Sequence, residues 1–220
     1  MLLEVRDMIH IDTLTFNPFQ ENTYIVYDDA GACMIVDPGC YEAYEQQELV
    51  DLIAKKNLTV KLLVNTHGHI DHVLGNYFVK ETYKVPFYVY YQDVATMHAV
   101  ASYAGNYGFP KYTAATPDKL LQETDTVEVG TMKFDLLFVP GHAPGHIAFI
   151  NTKEKICLSG DVLFRKSVGR PDLPGGNEET LIRSIKEKLF LLEDDTVVYP
   201  GHGPTTTIGF EKKHNPYCAL

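Results

Sequence analysis

The segment THGHIDH, residues 66–72, concentrates three histidines and one aspartate in a short stretch: His67, His69, Asp71 and His72. It follows VKLLV, an apolar run that predicts a buried strand. Imidazole binds zinc, iron and copper in proteins, and carboxylate oxygen completes many hydrolytic sites. Packing four such side chains together without a cation is electrostatically costly. The segment therefore predicts a metal site at the end of a strand.

Three later segments repeat the pattern of a strand followed by a glycine and a side chain able to bind metal. LLFVPGH ends at His142, KICLSGD ends at Asp161, and TVVYPGH ends at His202. Loops at strand ends often carry function, because the strands hold them rigidly. We therefore expect four strand ends to present these ligands at one edge of a sandwich.

Periodicity and turn residues predict the elements that must position these ligands. Strands are predicted in residues 22–27, 32–37, 60–64, 87–90, 126–129, 132–139, 147–151, 155–158 and 196–199. Helices are predicted in residues 41–56, 73–83, 92–103 and 178–191, and loops in residues 107–118 and 169–177. Strands in runs with interspersed helices indicate two mostly antiparallel or mixed sheets covered by helices.

Length, charge and cysteine usage narrow the class of protein. A chain of 220 residues predicts a single domain over residues 1–220. A net charge of −10 argues against nucleic acid and anionic lipid as partners. The sequence contains no run of 18 apolar residues, so no membrane helix is predicted. Glu4, Arg6 and Asp7 interrupt the apolar stretch that a signal peptide needs. The four cysteines form no CxxC pair, so we expect buried thiols and a cytoplasmic protein.

The ordered set HxHxDH, GHxxGH, SGD and PGH resembles the metallo-β-lactamase superfamily, over residues 12–214. Within it the chain most resembles the glyoxalase II (hydroxyacylglutathione hydrolase) branch, through GHAPGH and GDVLFRKSVGRPDLPGG. The resemblance implies an α+β fold, a four-layer αββα sandwich. The chain continues for 18 residues after His202, which resembles a short form without the C-terminal helical domain of glyoxalase II.

The resemblance also implies a ligand set for two divalent metal ions, with zinc expected and iron or manganese as alternatives. One ion is implied at His67, His69 and His142, the second at Asp71, His72 and His202, and Asp161 bridges both. His146 is expected to support His142 or neighbouring backbone. Asp37 is expected either to orient a ligand or to form a turn before Pro38 and Gly39.

The implied activity is hydrolysis of a small-molecule thioester or ester, most of all an acyl-glutathione thioester. Two cations about 3.5–4 Å apart share a water and lower its pKa toward about 7, and the bridging hydroxide attacks the carbonyl. Asp71 is expected to take or relay the proton. Arg170 is expected to contact a substrate anion, with a salt bridge to Asp172 as the alternative.

Several other activities use a similar set of ligands. A mono-iron persulfide dioxygenase and a lactonase remain open alternatives, because their ligand residues overlap with these. The acidic charge argues against an RNase Z-like nuclease. A β-lactamase of the commonest class is disfavoured, because it has Cys at the position of Asp161. A flavo-diiron protein is disfavoured, because it has Glu at the position of His69. A non-enzymatic binding module would have to keep all seven ligands unused, which argues against that class.

Overall fold

Two six-stranded β-sheets form the centre of the computed structural model, which describes residues 8–220. Glu4, Arg6 and Asp7, which argue against a signal peptide, lie outside the described residues. Each sheet is built from one contiguous part of the chain.

The first sheet comes from the N-terminal half of the chain. Its strands lie side by side in sequence order: β1 (Ile9–Phe16), β2 (Glu21–Asp28), β3 (Ala32–Val36), β4 (Thr59–Val64), β5 (Phe87–Tyr90) and β6 (Lys119–Leu121). The first three strands pair antiparallel, and β3 to β6 pair in parallel. Parallel neighbours need crossover connections. These contain helices α1 (Ala43–Lys55), α2 (Ile70–Val73), α3 (Asn76–Tyr83) and α4 (Val94–Tyr103).

The second sheet comes from the C-terminal half. Along the chain follow β7 (Thr126–Val129), β8 (Met132–Phe138), β9 (Ile147–Asn151), β10 (Ile156–Gly160), the separate hairpin of β11 (Leu163–Phe164) and β12 (Ser167–Val168), β13 (Val197–Pro200) and β14 (Thr206–Thr207). The spatial order is β14-β13-β10-β9-β8-β7. Strands β10 and β13 pair in parallel, and α5 (Glu178–Glu187) lies in their connection. Helix α6 (Ile208–His214) follows β14.

Alternation of side chains along the strands divides the core into layers. In β3, Cys33 and Ile35 pack with the helices on the outer face, whereas Met34 and Val36 pack between the two sheets. The cluster between the sheets also takes Phe134 from β8. A third cluster lies between the second sheet and helices α5 and α6. The order helix, sheet, sheet, helix confirms the predicted four-layer αββα sandwich and its mixed sheets.

Two predicted helices differ from the structure for local reasons. The helix predicted over residues 73–83 is divided into α2 and α3 at Gly75, whose N–H donates to the Pro38 carbonyl at 2.7 Å. The helix predicted over residues 178–191 ends at Glu187, because Lys188 leaves helical geometry with φ −125° and ψ −64°. The Lys188 ammonium donates to the Phe138 carbonyl at 2.6 Å, and a short 3-10 helix follows.

The cysteines and the helices of the described residues agree with the sequence-based expectations. Cys33, Cys40, Cys157 and Cys218 are free and buried, as the sequence predicts. In residues 8–220, no helix has both the length and the apolar character needed to cross a lipid bilayer.

Candidate metal centre

The structure brings all seven predicted ligands to the same end of the sandwich. Residues 67–72 follow β4, and the loop after β8 carries His142. Asp161 directly follows β10, and His202 lies two residues after β13. Four strand ends therefore converge, one from the first sheet (β4) and three from the second (β8, β10 and β13).

His67, His69 and His142 form the three-histidine group, whose ligand atoms lie within 4.8 Å of one another. The closest pair is His69 Nδ1 and His142 Nε2, 2.9 Å apart. The rings of His67 and His69 are perpendicular, with centroids 4.8 Å apart, and those of His67 and His142 lie 5.0 Å apart. Three imidazoles converging in this way match the ligand chemistry of a zinc or iron site.

Asp71, His72 and His202 form the aspartate-containing group, which meets the same distance criterion. The Asp71 Oδ2 atom lies 3.1 Å from His202 Nε2 and 3.7 Å from His72 Nε2. This second group combines imidazole with carboxylate, as a hydrolytic metal site does.

Asp161 lies between the two groups. Its Oδ1 is 3.5 Å from His72 Nε2, and its Oδ2 is 3.5 Å from His142 Nε2 and 3.4 Å from His202 Nε2. One carboxylate thus contacts both groups, which is the arrangement that a ligand bridging two ions requires.

Unpaired atoms in this centre test whether its residues fit a cation. Within residues 8–220, the buried ligand atoms without a hydrogen-bond partner include His67 Nε2, His72 Nε2 and Asp161 Oδ1. A buried polar atom without a partner costs free energy, so native proteins rarely keep several together. Two divalent cations, one in each group, would satisfy all three atoms, and the residues therefore fit the metal ions that the sequence predicts.

Hydrogen bonds on the far side of the rings fix which nitrogen faces the centre. His72 Nδ1 lies 3.2 Å from Asp37 Oδ2, and His142 Nδ1 lies 2.9 Å from the Arg170 carbonyl. His202 Nδ1 lies 3.1 Å from the Phe19 carbonyl. In each pair the Nδ1–H donates, so Nε2 is the nitrogen that faces the centre and would bind a cation there.

Asp37 orients two ligands, which decides between the two roles that the sequence left open for it. Besides His72, its carboxylate accepts from the Thr66 N–H at 2.7 Å and the Thr66 hydroxyl at 2.5 Å. The Thr66 oxygen lies 3.1 Å from His67 Nδ1 and can accept in turn. Asp37 holds this position with a φ of 50°, a conformation uncommon for residues other than glycine.

His146 supports the backbone next to a ligand, as the sequence predicts. Its Nε2 accepts from the Asp161 N–H at 3.0 Å. Its ring stacks on His67, with centroids 4.6 Å apart and an angle of 20°. His146 therefore fixes the main chain of Asp161 and packs behind the three-histidine group.

The two groups differ in their affinity for protons. Burial, together with the nearby imidazoles, lowers the pKa of His67 well below its usual range and that of His69 to about 3. Burial acts in the same direction on His72 and His202, but the carboxylates of Asp71 and Asp161 outweigh it. They raise the pKa of His72 well above its usual range and that of His202 to about 10. A cation entering the second group would therefore displace protons.

The Arg170 side chain forms the salt bridge that was the alternative to a substrate contact. Its Nε and Nη2 donate to the two oxygens of Asp172, both at 2.8 Å, and both side chains are exposed. The main-chain carbonyl of Arg170 is the part that touches a ligand, His142.

Two buried carboxylates beside the centre were missed by the sequence analysis. Glu21 is fully buried, and its Oε1 lies 3.9 Å from His72 Nδ1. Burial raises its pKa well above the usual range. Asp93 is also fully buried, and it contacts the loops that carry the three-histidine group. Neither residue lies in a ligand motif, and no signal in the sequence marks a lone acidic residue as buried.

Comparison with known proteins identifies the family. Residues 16–202 match the Metallo-beta-lactamase superfamily. The chain belongs to this superfamily. Its fold implies binding of divalent metal, and the chain is a hydrolase of this class.

Individual relatives cover almost the whole chain. Hydroxyacylglutathione hydrolase GloC of Haemophilus influenzae is 37% identical over 211 residues, which are 95% of this chain and 98% of that protein. The crystal structure of the BLEG-1 B3 metallo-beta-lactamase superposes with a TM-score of 0.87 and 34% identity, covering 94% of this chain and 99% of that one. TTHA1623 in a di-iron-bound form gives a TM-score of 0.83 and 36% identity, with coverage of 94% and 99%.

Proposed function

We propose that this chain is a binuclear metallohydrolase that cleaves acyl-thioesters of small molecules, with acyl-glutathione thioesters as its substrate class. The observation that carries the proposal is the pair of ligand groups sharing Asp161, with buried ligand atoms left unpaired. The thioester class is supported by the 37% identity to a hydroxyacylglutathione hydrolase.

The ligands divide between two ions in this proposal. The three-histidine group holds one, the aspartate-containing group holds the other, and Asp161 contacts both. Two bound divalent cations supply a Lewis acid for the substrate carbonyl and a water of lowered pKa. Zinc is the expected metal, with iron or manganese as alternatives, and iron is supported by the di-iron form of a relative at 36% identity.

Asp71 is the proposed proton acceptor. Burial opposes ionisation, but the neighbouring His72 and His202 lower the pKa of Asp71, so it is a carboxylate at neutral pH. The Asp71 side chain is 15% exposed to solvent, which leaves it within reach of water and substrate. A carboxylate next to the attacking water can take its proton. The thiolate leaving group of a thioester is already stable, so the mechanism needs no strong acid on the opposite side.

Substrate recognition is proposed for the rim around His202 and His142. Phe19 and Tyr107 are exposed there, with ring centroids 6.5 Å apart. Arg170 can exchange Asp172 for a substrate carboxylate, because the salt bridge is exposed and therefore weak. These contacts are few, so we expect a high KM for glutathione thioesters together with a substantial kcat.

We also propose that residues 1–220 act as one domain. Side chains from both sheets, such as Tyr24 of β2 and Phe149 of β9, belong to one buried cluster. Neither half of the chain could expose this surface to water without losing the free energy of its burial.

Hydrolysis of a β-lactam ring is a second candidate, supported by the 34% identity to a B3 metallo-beta-lactamase. Both reactions place a hydroxide on a carbonyl carbon and need the same two ions. They differ in the rim that recognises the substrate.

Metal analysis combined with a substrate panel tests the proposal. The purified protein is assayed with S-lactoylglutathione, a lactone and a β-lactam, with oxygen uptake on glutathione persulfide measured in parallel. We expect two metal ions per chain and hydrolysis of the thioester. Asp161→Ala serves as the control and should be inactive. One iron per chain with oxygen uptake and no hydrolysis would replace the proposal with a persulfide dioxygenase.

A further inference from the structure

Asp93 joins two loops that the sequence places far apart. It ends the short 3-10 helix Tyr91–Asp93 and precedes α4, and its side chain is fully buried. One carboxylate oxygen accepts a short hydrogen bond from the Gly68 N–H. The other accepts from the Gly145 N–H and from the Thr96 hydroxyl, both at 3.0 Å.

These two glycines belong to the loops that carry the three-histidine group. Gly68 lies between His67 and His69, in the segment that follows β4 of the first sheet. Gly145 lies in the loop between β8 and β9, which carries His142. One carboxylate therefore fixes the distance between ligands that come from different sheets.

The backbone of both loops packs directly on the start of α4, which leaves no room for adjustment. A methyl group added at Gly68 would lie 2.6 Å from the Met97 nitrogen, and one added at Gly145 would overlap the Asp93 nitrogen. Close packing of this kind makes a shift in one element displace its neighbours.

We propose that Asp93 is a positioning residue that holds the three-histidine group at the spacing required by one metal ion. The inference rests on the proposed metal role of that group. It assigns Asp93 no contact with substrate or metal. The residue acts through the main chain on either side of its two glycine partners.

The chemistry of the side chain explains why a carboxylate is needed. Two main-chain N–H groups approach different oxygens, so both oxygens must accept. An asparagine has one accepting oxygen, and its NH2 group would face the second N–H. The loops would then separate, and the 2.9 Å approach of His69 Nδ1 to His142 Nε2 would be lost. The aspartate-containing group is oriented by Asp37 and the Phe19 carbonyl instead, so we expect it to keep its geometry.

Asp28 supplies a matched control at the far end of the same sandwich. It is also buried and also accepts main-chain N–H bonds from two segments, from the nearby Ala32 at 2.9 Å and from the distant Thr131 at 2.9 Å. It lies at the last residue of β2, whose first residue, Glu21, is at the metal centre. Asp28→Asn therefore removes the same kind of bond without touching a ligand loop.

The experiment measures zinc affinity in metal-free protein by competition with a chromophoric chelator. Asp93→Asn and Asp28→Asn are each placed in two backgrounds, Asp71→Ala to disable the aspartate-containing group and His69→Ala to disable the three-histidine group. In the first background, we expect Asp93→Asn to weaken zinc binding about 10- to 100-fold. In the second background, and for Asp28→Asn in both, we expect changes within about 2-fold.

A milder variant covers the case in which Asp93→Asn does not fold. Thr96→Val removes one of the three hydrogen bonds to Asp93, and we expect it to weaken the three-histidine group about 2- to 10-fold. Equal losses for Asp93→Asn and Asp28→Asn, or equal losses in both backgrounds, would overturn the inference. Wild-type protein that binds only one zinc would refute the two-metal proposal, and the comparison of Asp93→Asn with Asp28→Asn on that one zinc would still decide the role of Asp93.

Discussion

At each end of the sandwich, one buried aspartate accepts main-chain N–H bonds from two segments, but only one of the two ends carries the proposed metal ligands. At the metal end, the Asp93 carboxylate accepts N–H bonds from the Gly68 and Gly145 loops. At the opposite end, the Asp28 carboxylate accepts from Ala32 and from Thr131, in the turn between β7 and β8. In both places one buried side chain ties the first half of the chain to the second.

The surroundings of the two carboxylates give them opposite proton affinities. Burial raises the pKa of Asp93, and the N–H donors of Gly145 and Gly68 do not fully offset it. Burial also acts on Asp28, but there the N–H donors of Thr131 and Ala32 outweigh it and lower the pKa. Asp93 is therefore the more strongly desolvated of the two carboxylates.

The larger difference lies in what each end leaves unpaired. Both oxygens of Asp28 accept hydrogen bonds, whereas His67 Nε2, His72 Nε2 and Asp161 Oδ1 are buried without partners within the described part of the chain. The backbone at the metal end is satisfied by braces such as Asp93, and the ligand atoms are kept free. Stability and function are thus assigned to different side chains in the same few loops.

The largest effect is expected from Asp71→Asn, which keeps the shape of the side chain and removes its charge. If Asp71 accepts the proton, turnover should fall about 10²- to 10⁴-fold while the circular dichroism spectrum stays unchanged. The steady-state rate of thioester hydrolysis measures this. Wild-type turnover in Asp71→Asn would show that the proton leaves by another route.

Removal of metal should lower the melting temperature of the protein through the metal end, independently of the Asp28 end. At free metal about 1,000-fold above the Kd, binding stabilises the native state by about 4 kcal/mol. For a chain of this size, chelation should then lower the melting temperature by about 8–16 °C. Differential scanning fluorimetry with and without chelator should show the same decrease for Asp28→Asn as for wild type. A melting temperature unaffected by chelation would contradict the proposed ligation.

Asp28→Asn should lower stability without changing turnover. The loss of main-chain hydrogen bonds should reduce the free energy of unfolding by about 1–3 kcal/mol at pH 7. Because the folded pKa of Asp28 is lowered, its stabilising contribution is present above the unfolded value of about 3.9 and is lost as the pH falls through the folded pKa. The difference between variant and wild type in urea unfolding should therefore shrink below about pH 4. A constant difference across this range would mean that the charge of Asp28 is not what stabilises this end.

The smallest effect is expected from Arg170→Ala at the rim. The Arg170 side chain is exposed and already paired, so its loss should raise KM for S-lactoylglutathione about 2- to 5-fold and leave kcat unchanged. Asp172→Ala is the matched control, because it frees the guanidinium and should lower KM. A fall in kcat for Arg170→Ala would instead point to its carbonyl contact with His142.

The seven proposed ligands could be placed from the sequence at positions that converge in the structure, because each follows a strand end marked by a glycine or by clustered histidines. His67 to His72 follow the mostly apolar strand β4, and His142, Asp161 and His202 each follow a strand and a glycine. Local periodicity predicted two sheets covered by helices, and the resemblance to the superfamily implied the four-layer sandwich.

Asp37 and His146 could be proposed as supporting residues from the sequence, but Asp93 and Glu21 could not, because their partners are distant in sequence or their burial leaves no local mark. Asp93 lies 25 residues from Gly68 and 52 residues from Gly145, and an aspartate at the start of a helix is ordinary. Glu21 stands in the polar segment QEN and is nevertheless fully buried. For Arg170, the sequence offered both a substrate contact and a pair with Asp172, and only the geometry shows which one forms in the absence of substrate.

The contiguous origin of each sheet has a consequence for how the protein acquires its native state. His67 and His69 come from the first half of the chain and His142 from the second, and Asp71 and His72 are separated from His202 in the same way. Neither half can therefore hold an ion with a full ligand group before the two sheets have docked. A bound cation acts as a long-range cross-link, joining positions 73 residues apart at His69 and His142. A bound ion therefore stabilises the docked arrangement of the two sheets, and metal affinity depends on how firmly the halves are docked.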